Sequence, residues 1–222
     1  MPKAALAKHR PWLLASLVAS ISYFFASDDP IGGAWLMLWK GAGVAFLAIY
    51  AAFRGWGTDG LLIAAVLAFG ALGDVALEIS FLVGGSLFAV GHLIAIVLYM
   101  RNRRESTSGS QIMAAVGLLV LTPVIAGLMT YPLDNWMLAT AYSGVVGAMA
   151  AAAWTSRFPR YRVGMGAVLF VVSDLLIFAR EASVLPDGVT SWLIWPLYYG
   201  GQFLIAVGVV QTLRKDRNRR AD

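Results

Sequence analysis

Residues 61–79 read LLIAAVLAFGALGDVALEI, an apolar run in which only Asp74 and Glu78 carry charge. At 1.5 Å per residue, a helix of this length covers roughly 28 Å, close to the roughly 30 Å hydrocarbon core of a bilayer. Runs of similar length recur along the chain, and a near copy of its acidic phrase appears about one hundred residues later as FVVSDLLIF around Asp174. A charge buried in such a run is costly, so the reading of these carboxylates depends on whether the run lies in water or in lipid.

The composition answers for lipid. The chain is 59% hydrophobic and 13% charged with a mean hydropathy of +0.74, whereas roughly a quarter of the residues in a soluble domain are charged. No ten-residue stretches alternate apolar with polar, which argues against a membrane β-barrel. In lipid, the backbone groups then have to be satisfied within helices. The fold class is an all-α polytopic membrane bundle.

Eight spans are expected, at about 11–27, 35–53, 61–79, 82–100, 111–131, 137–155, 163–182 and 192–213. The connections are short (SDDPIGG, RGWGTDG, RNRRESTSGS, YPLDN, SRFPRYR), so residues 1–222 form one integral membrane domain with no soluble module. With the N-terminus inside, the inner segments hold Lys3, Lys8 and Arg10; Arg54; Arg101, Arg103 and Arg104; Arg157, Arg160 and Arg162; and Arg214, Lys215, Arg217, Arg219 and Arg220. That is 15 of the 17 basic residues, as the positive-inside rule requires. Both termini are therefore expected in the cytoplasm, with the cell (inner) membrane as the location. The first span could be read as a signal peptide, but its apolar region is long and no A-x-A site follows, so a retained helix is preferred. The net charge of +5 sits beside the span ends, which fits topology and anionic headgroups and not nucleic acid. With no Cys, disulfides and thiolate chemistry are excluded.

The two basic residues outside this pattern are Lys40, inside the second span, and Arg180, near the end of the seventh. Intramembrane charges of this kind usually face a protein interior or a polar cavity. Counting along the spans puts Asp74 and Asp174 roughly 8–12 Å below the outer boundary, with Lys40 and Tyr199 at about 8–10 Å and His92 and Gln202 at about 15 Å. Glu78 shares the face of Asp74, one turn nearer the outer surface. Polar groups from five spans thus share one layer, and a common polar pocket is the inference. The two aspartates lie on helices of equal direction in segments offset by one hundred residues, which fits a 4 + 4 duplication with parallel halves.

Several phrases carry a family resemblance: the GD of GALGDVALE, FAVGH (88–92), YSGVVGAMA (142–150), GAVLFVVSDLLIFA (166–179) with its Ser173-Asp174 pair, Pro186, and YYGGQFLIAVG (198–208). Through them the third to eighth spans resemble the YhhN-like lysoplasmalogenases, eight-span membrane proteins. The chain departs from the family pattern in three places. Lys40 precedes Gly41 where the family has proline, Ala95 stands where an aromatic follows the histidine, and Glu78 matches no motif position. The resemblance implies hydrolysis of the vinyl ether bond of a lysoplasmalogen to a fatty aldehyde and a glycerophospho-headgroup. It also implies Asp74 and Asp174 as the catalytic pair, and a lysophospholipid in the bilayer as the partner.

The chemistry is consistent with two acids. A vinyl ether is electron-rich and reacts by taking a proton on carbon, giving an oxocarbenium ion that water captures. One acid must hold its proton and one anion must stabilise the cation or deprotonate the water. Two carboxyl groups in one dry pocket divide these states between them, as in glycosidases. No metal or cofactor is required. Lys40 is a candidate to hold a carboxylate ionised or to bind phosphate. Arg180 is the better phosphate ligand because its guanidinium contacts phosphate bidentately. Ser173, Tyr198, Tyr199 and Gln202 are candidates to orient headgroup or water.

Plainer readings stand beside these. Asp74 and Lys40 could form an ion pair that only orients two helices, and Asp174 could cap a kink or bond Tyr199. His92 is either a proton shuttle or a histidine bonded to a backbone carbonyl, and Glu78 either rims the pocket or meets headgroups outside. The glycines (Gly84, Gly85, Gly127, Gly144, Gly147, Gly200, Gly201) read as close helix packing. A proton-coupled transporter or lipid carrier is the rival function, since paired acids in a duplicated membrane fold suit it as well. The depth of the polar layer, in one leaflet and not at the midplane, favours the hydrolase.

Overall fold

The computed structural model describes residues 11–27, 33–131 and 133–221. Lys3, Lys8 and Arg10, which enter the topology argument, lie outside the described residues, as do most of the SDDPIGG connection and Pro132. Among the described residues the chain is all-α, and its β pairing is limited to an isolated bridge between Arg103 and Ser156. The helices are α1 (Pro11–Ala26), α2 (Ala34–Arg54), α3 (Gly57–Leu77), α4 (Phe81–Arg101), α5 (Gly109–Thr130), α6 (Trp136–Thr155), α7 (Met165–Glu181) and α8 (Asp187–Ala221). A π-helical turn, Arg160–Gly164, leads directly into α7.

Seven of these helices, α2 to α8, are long and apolar enough to cross a membrane, with the π turn counted as part of α7. Helix α1, at 16 residues, is shorter. Large apolar side chains face outward along the helices, for example Met113 at 72% and Leu128 at 76% exposure on α5. In water such surface would drive aggregation, whereas in lipid it is the expected outer face. The chain is an integral membrane protein.

Several helix boundaries differ from the expected spans, most of all at α8 and α3. Helix α8 starts at Asp187 and runs to Ala221 because RKDRNRR contains neither Gly nor Pro to stop it. Helix α3 ends at Leu77, which leaves Glu78 as its C-cap residue, still in αR geometry. Prolines occur inside α5 (Pro123) and α8 (Pro196). Each removes one helical N–H bond.

The chain divides into two compact units, with the division inside α4 between Gly91 and His92. The first holds α1 to α3, the start of α4 and the chain's end from Leu213. In it, Ser16 Oγ donates to the Gly43 carbonyl at 2.6 Å, tying α1 to α2. Gly41 sits so close to α3 that a Cβ there would lie 2.7 Å from Val75 Cγ2 and 3.0 Å from the Ala71 carbonyl oxygen. The residue that follows Lys40 thus lets the backbones of α2 and α3 approach.

The second unit, His92 to Thr212, holds the rest of α4, then α5 to α7 and most of α8. A Cβ at Gly147 of α6 would fall 2.6 Å from the Leu118 carbonyl oxygen of α5, and one at Gly201 of α8 would fall 2.6 Å from the Gly166 carbonyl oxygen of α7. Small residues at these crossings allow close van der Waals packing, the main source of helix association in lipid.

Candidate active site

The second unit builds its polar centre around Asp174, the tenth residue of α7, which is buried at 7% exposure. Its carboxylate oxygen Oδ2 accepts a hydrogen bond of 2.9 Å from the hydroxyl of Tyr142 on α6. The same hydroxyl lies 3.4 Å from His92 Nε2 on α4. A phenol has one proton to give. When it is donated to an ionised Asp174, His92 can contribute only through an Nε2–H pointing at the Tyr142 oxygen. With Asp174 protonated, the chain can reverse, with Asp174 donating to Tyr142 and Tyr142 donating to Nε2. Three side chains from three helices thus form one line along which a proton can be passed.

Aromatic rings enclose this line. Phe170, one turn before Asp174 on α7, meets the His92 ring edge-to-face at 4.7 Å, and Phe178, one turn after, meets Tyr142 at 6.2 Å. Tyr198 of α8 packs edge-on against Phe170 at 5.2 Å, and Trp195 stacks with Tyr199 at 6.4 Å. Tyr198, Tyr199 and Gln202 are all buried on α8. Ser173 donates to the Ile194 carbonyl at 3.0 Å, fixing α7 against α8 just before Pro196. Arg180 stands in the last turn of α7, half-buried, and its guanidinium makes no hydrogen bond or ion pair among the described residues.

In the first unit Asp74 is buried on α3 at 2% exposure. Lys40 of α2 forms an ion pair with Glu78, with side-chain exposures of 18% and 40%. Both plainer pairings are thereby corrected. The partner of Lys40 is Glu78 and not Asp74, and the tyrosine on Asp174 is Tyr142 and not Tyr199. Which acid a lysine reaches depends on the rotation of α2 against α3, and Gly41 sets that by close approach. Residue spacing along one helix cannot supply it.

Tyr142 is the residue that sequence reasoning passed over. It opens the phrase YSGVVGAMA that carries part of the resemblance, and the sequence alone assigns it no chemical role. Its signal is a phenol well inside a helix whose stretch between Trp136 and Trp154 is otherwise small and aliphatic apart from its methionines, so its hydroxyl needs a partner.

An integral membrane protein with a carboxylate–tyrosine–histidine line buried among its helices is the class that this fold and site define. The match to the YhhN family model runs over residues 35–209, most of the chain, and the chain belongs to the YhhN family. It is 30% identical to lysoplasmalogenase TMEM86A of Bos taurus over 156 residues, covering 66% of this chain and 64% of that protein. To lysoplasmalogenase TMEM86A of Homo sapiens it is 29% identical with the same coverage. The chain thus matches less than two thirds of the length of these curated relatives. No solved structure matches the chain.

Proposed function

We propose that this protein hydrolyses the vinyl ether bond of lysoplasmalogens within the bilayer, releasing a fatty aldehyde and a glycerophospho-headgroup. The observation that carries the reading is the buried Asp174 held by Tyr142, inside a segment matched by the YhhN family model. The similarity to proteins named lysoplasmalogenase supports the substrate class.

In this reading Asp174 and Asp74 divide the acid and base work. One carboxyl delivers its proton to the vinyl carbon remote from oxygen, and the electron pair of the double bond forms the new C–H bond. The cation is shared between the adjacent carbon and the ether oxygen. The other carboxylate takes a proton from the attacking water as its oxygen bonds to that carbon. The hemiacetal then collapses: its hydroxyl proton passes to the first carboxylate and the bond to the glycerol oxygen breaks. That oxygen takes the proton held by the second carboxyl and leaves as the alcohol, so that the aldehyde remains and both carboxyl groups regain their starting states. Tyr142 and His92 serve as the line through which Asp174 exchanges its proton. Ser173 acts by positioning, through Ile194. Arg180 is the phosphate ligand, and Tyr198, Tyr199 and Gln202 orient headgroup or water. The Lys40–Glu78 pair tunes access from the outer end of α3. All eight helices, α1 included, are taken as spans of the cell membrane with both chain ends inside.

The test is to mix the purified protein in detergent with a lysoplasmalogen and follow aldehyde by mass spectrometry. Aldehyde release that depends on both aspartates supports the reading. Intact lipid, together with aspartate-dependent uptake into proteoliposomes, would replace it with the carrier.

A further inference from the structure

Within the second unit, at the C-terminal ends of α4 and α6, the two following connections are fastened to each other. Arg103 and Ser156 form an antiparallel bridge. Arg104 N–H donates to the Thr155 carbonyl at 3.2 Å, and Arg157 N–H donates to the Asn102 carbonyl at 2.8 Å. The Asn102 side chain reinforces both sides: its Oδ1 accepts from Arg157 Nε at 2.7 Å, and its Nδ2 donates to the Leu98 carbonyl at 3.0 Å. Arg104 adds its guanidinium to the Ser156 carbonyl at 3.2 Å.

This neutral frame gathers like charges. Arg101, Arg103 and Arg104 come from one connection and Arg157, Arg160 and Arg162 from the other, while the sole carboxylate in either connection is Glu105. Topology requires positive charge on such connections but not a frame that holds them together. Close gathering of guanidinium groups is unfavourable unless an anion offsets it.

A second, independent observation concerns the π turn. Arg160 lies over the Trp154 ring with its Cζ 5.8 Å from the centroid and donates Nε–H to the Trp154 carbonyl at 3.4 Å. Arg160 Nη2 and Trp154 Nε1 are both buried without an acceptor. Two strong donors in one stacked pair are thus unsatisfied, where native proteins leave few such groups. The turn is held in place, since a Cβ at Gly164 would lie 2.9 Å from the Trp154 ring. It presents Tyr161 at 83% exposure between Arg160 and an exposed Arg162 that reaches Gln211 Oε1.

The geometry points to a binding site for the phosphate of an anionic glycerophospholipid, formed by Arg160, Arg162 and the Trp154 indole N–H with Arg103 from the facing connection. Rotation about the flexible stem of Arg160 brings Nη2 outward to a phosphate oxygen. Guanidinium groups fit phosphate bidentately. An exposed Tyr beside them suits the interface, where an aromatic ring has one apolar and one wet side. The connections join membrane-crossing helices, so the phosphate within reach is that of a lipid. The site is independent of the hydrolase reading.

The test uses the full chain in neutral detergent, titrated with dioctanoyl phosphatidylglycerol, dioctanoyl phosphatidylcholine or inorganic phosphate, with binding read by native mass spectrometry. Phosphatidylglycerol is expected to bind about tenfold tighter than either of the others. Arg160→Gln with Arg162→Gln removes this preference, whereas Arg217→Gln with Arg219→Gln, an equal loss of charge on the tail, keeps it. Trp154→Phe keeps an aromatic ring but removes the indole N–H together with its five-membered ring, and weakens binding about threefold; it carries the test where the double variant fails to fold. Equal losses in the two double variants would overturn the site in favour of general attraction. Unchanged binding in the Arg160/Arg162 or Trp154 variants would also overturn it. Inorganic phosphate binding as tightly as the lipid would replace the lipid with a free anion.

Discussion

Tyr142 of α6 gives its one hydroxyl proton to Oδ2 of Asp174 on α7, at 2.9 Å, while the same oxygen stands 3.4 Å from His92 Nε2. The phenol is the middle member of the line, and without it Asp174 loses both an orienting donor and its route to the imidazole. The aromatic contacts to His92 and Phe178 depend on the ring and not on the hydroxyl.

Tyr142→Phe is therefore expected to fold normally and to lower kcat by about 10- to 100-fold, the range of a lost charge-assisted hydrogen bond, with KM little changed. Steady-state kinetics on a lysoplasmalogen, with circular dichroism as the folding check, measures this. Unchanged kcat would remove Tyr142 from the site.

The Lys40–Glu78 pair is partly exposed, so its value is small, about 1 kcal/mol or less. Glu78→Gln should leave kcat within a few-fold of wild type and shift the thermal midpoint in detergent only slightly. A loss as large as that expected for an aspartate would promote Glu78 from tuning to chemistry.

The glycines offer a paired test of packing. Gly147 faces backbone, with the Leu118 carbonyl oxygen 2.6 Å from where a Cβ would sit, while Gly144 on the same helix has open space. Gly147→Val should destabilise by about 1–3 kcal/mol, the usual cost of overpacking, and Gly144→Val should be near neutral. Thermal unfolding in one detergent compares them directly.

The same glycines mark what the sequence could and could not reveal. Seven were expected to pack closely, and Gly84, Gly127, Gly147 and Gly201 do, whereas Gly85, Gly144 and Gly200 face open space. In the pairs Gly84-Gly85 and Gly200-Gly201, adjacent positions point about 100° apart on a helix, so a single neighbouring helix meets one of the two. The helices themselves were legible because runs such as 61–79 leave the backbone no other way to satisfy itself in lipid. The burial of Asp74 and Asp174 was legible for the related reason that an acid in such a run is costly and turns inward. Tyr142 was not, because an aromatic among small residues reads equally well as core. Nor was the choice of Glu78 as the partner of Lys40, which is fixed by the approach of α2 to α3 at Gly41.

The central claim is that Asp74 and Asp174 perform the chemistry. The measurement is aldehyde release from a lysoplasmalogen by purified Asp74→Asn and Asp174→Asn variants of confirmed fold, beside wild type. The account predicts that each substitution reduces turnover by at least about 1,000-fold, since neither a proton donor nor a base remains at that position. Near-wild-type turnover by either variant would contradict it.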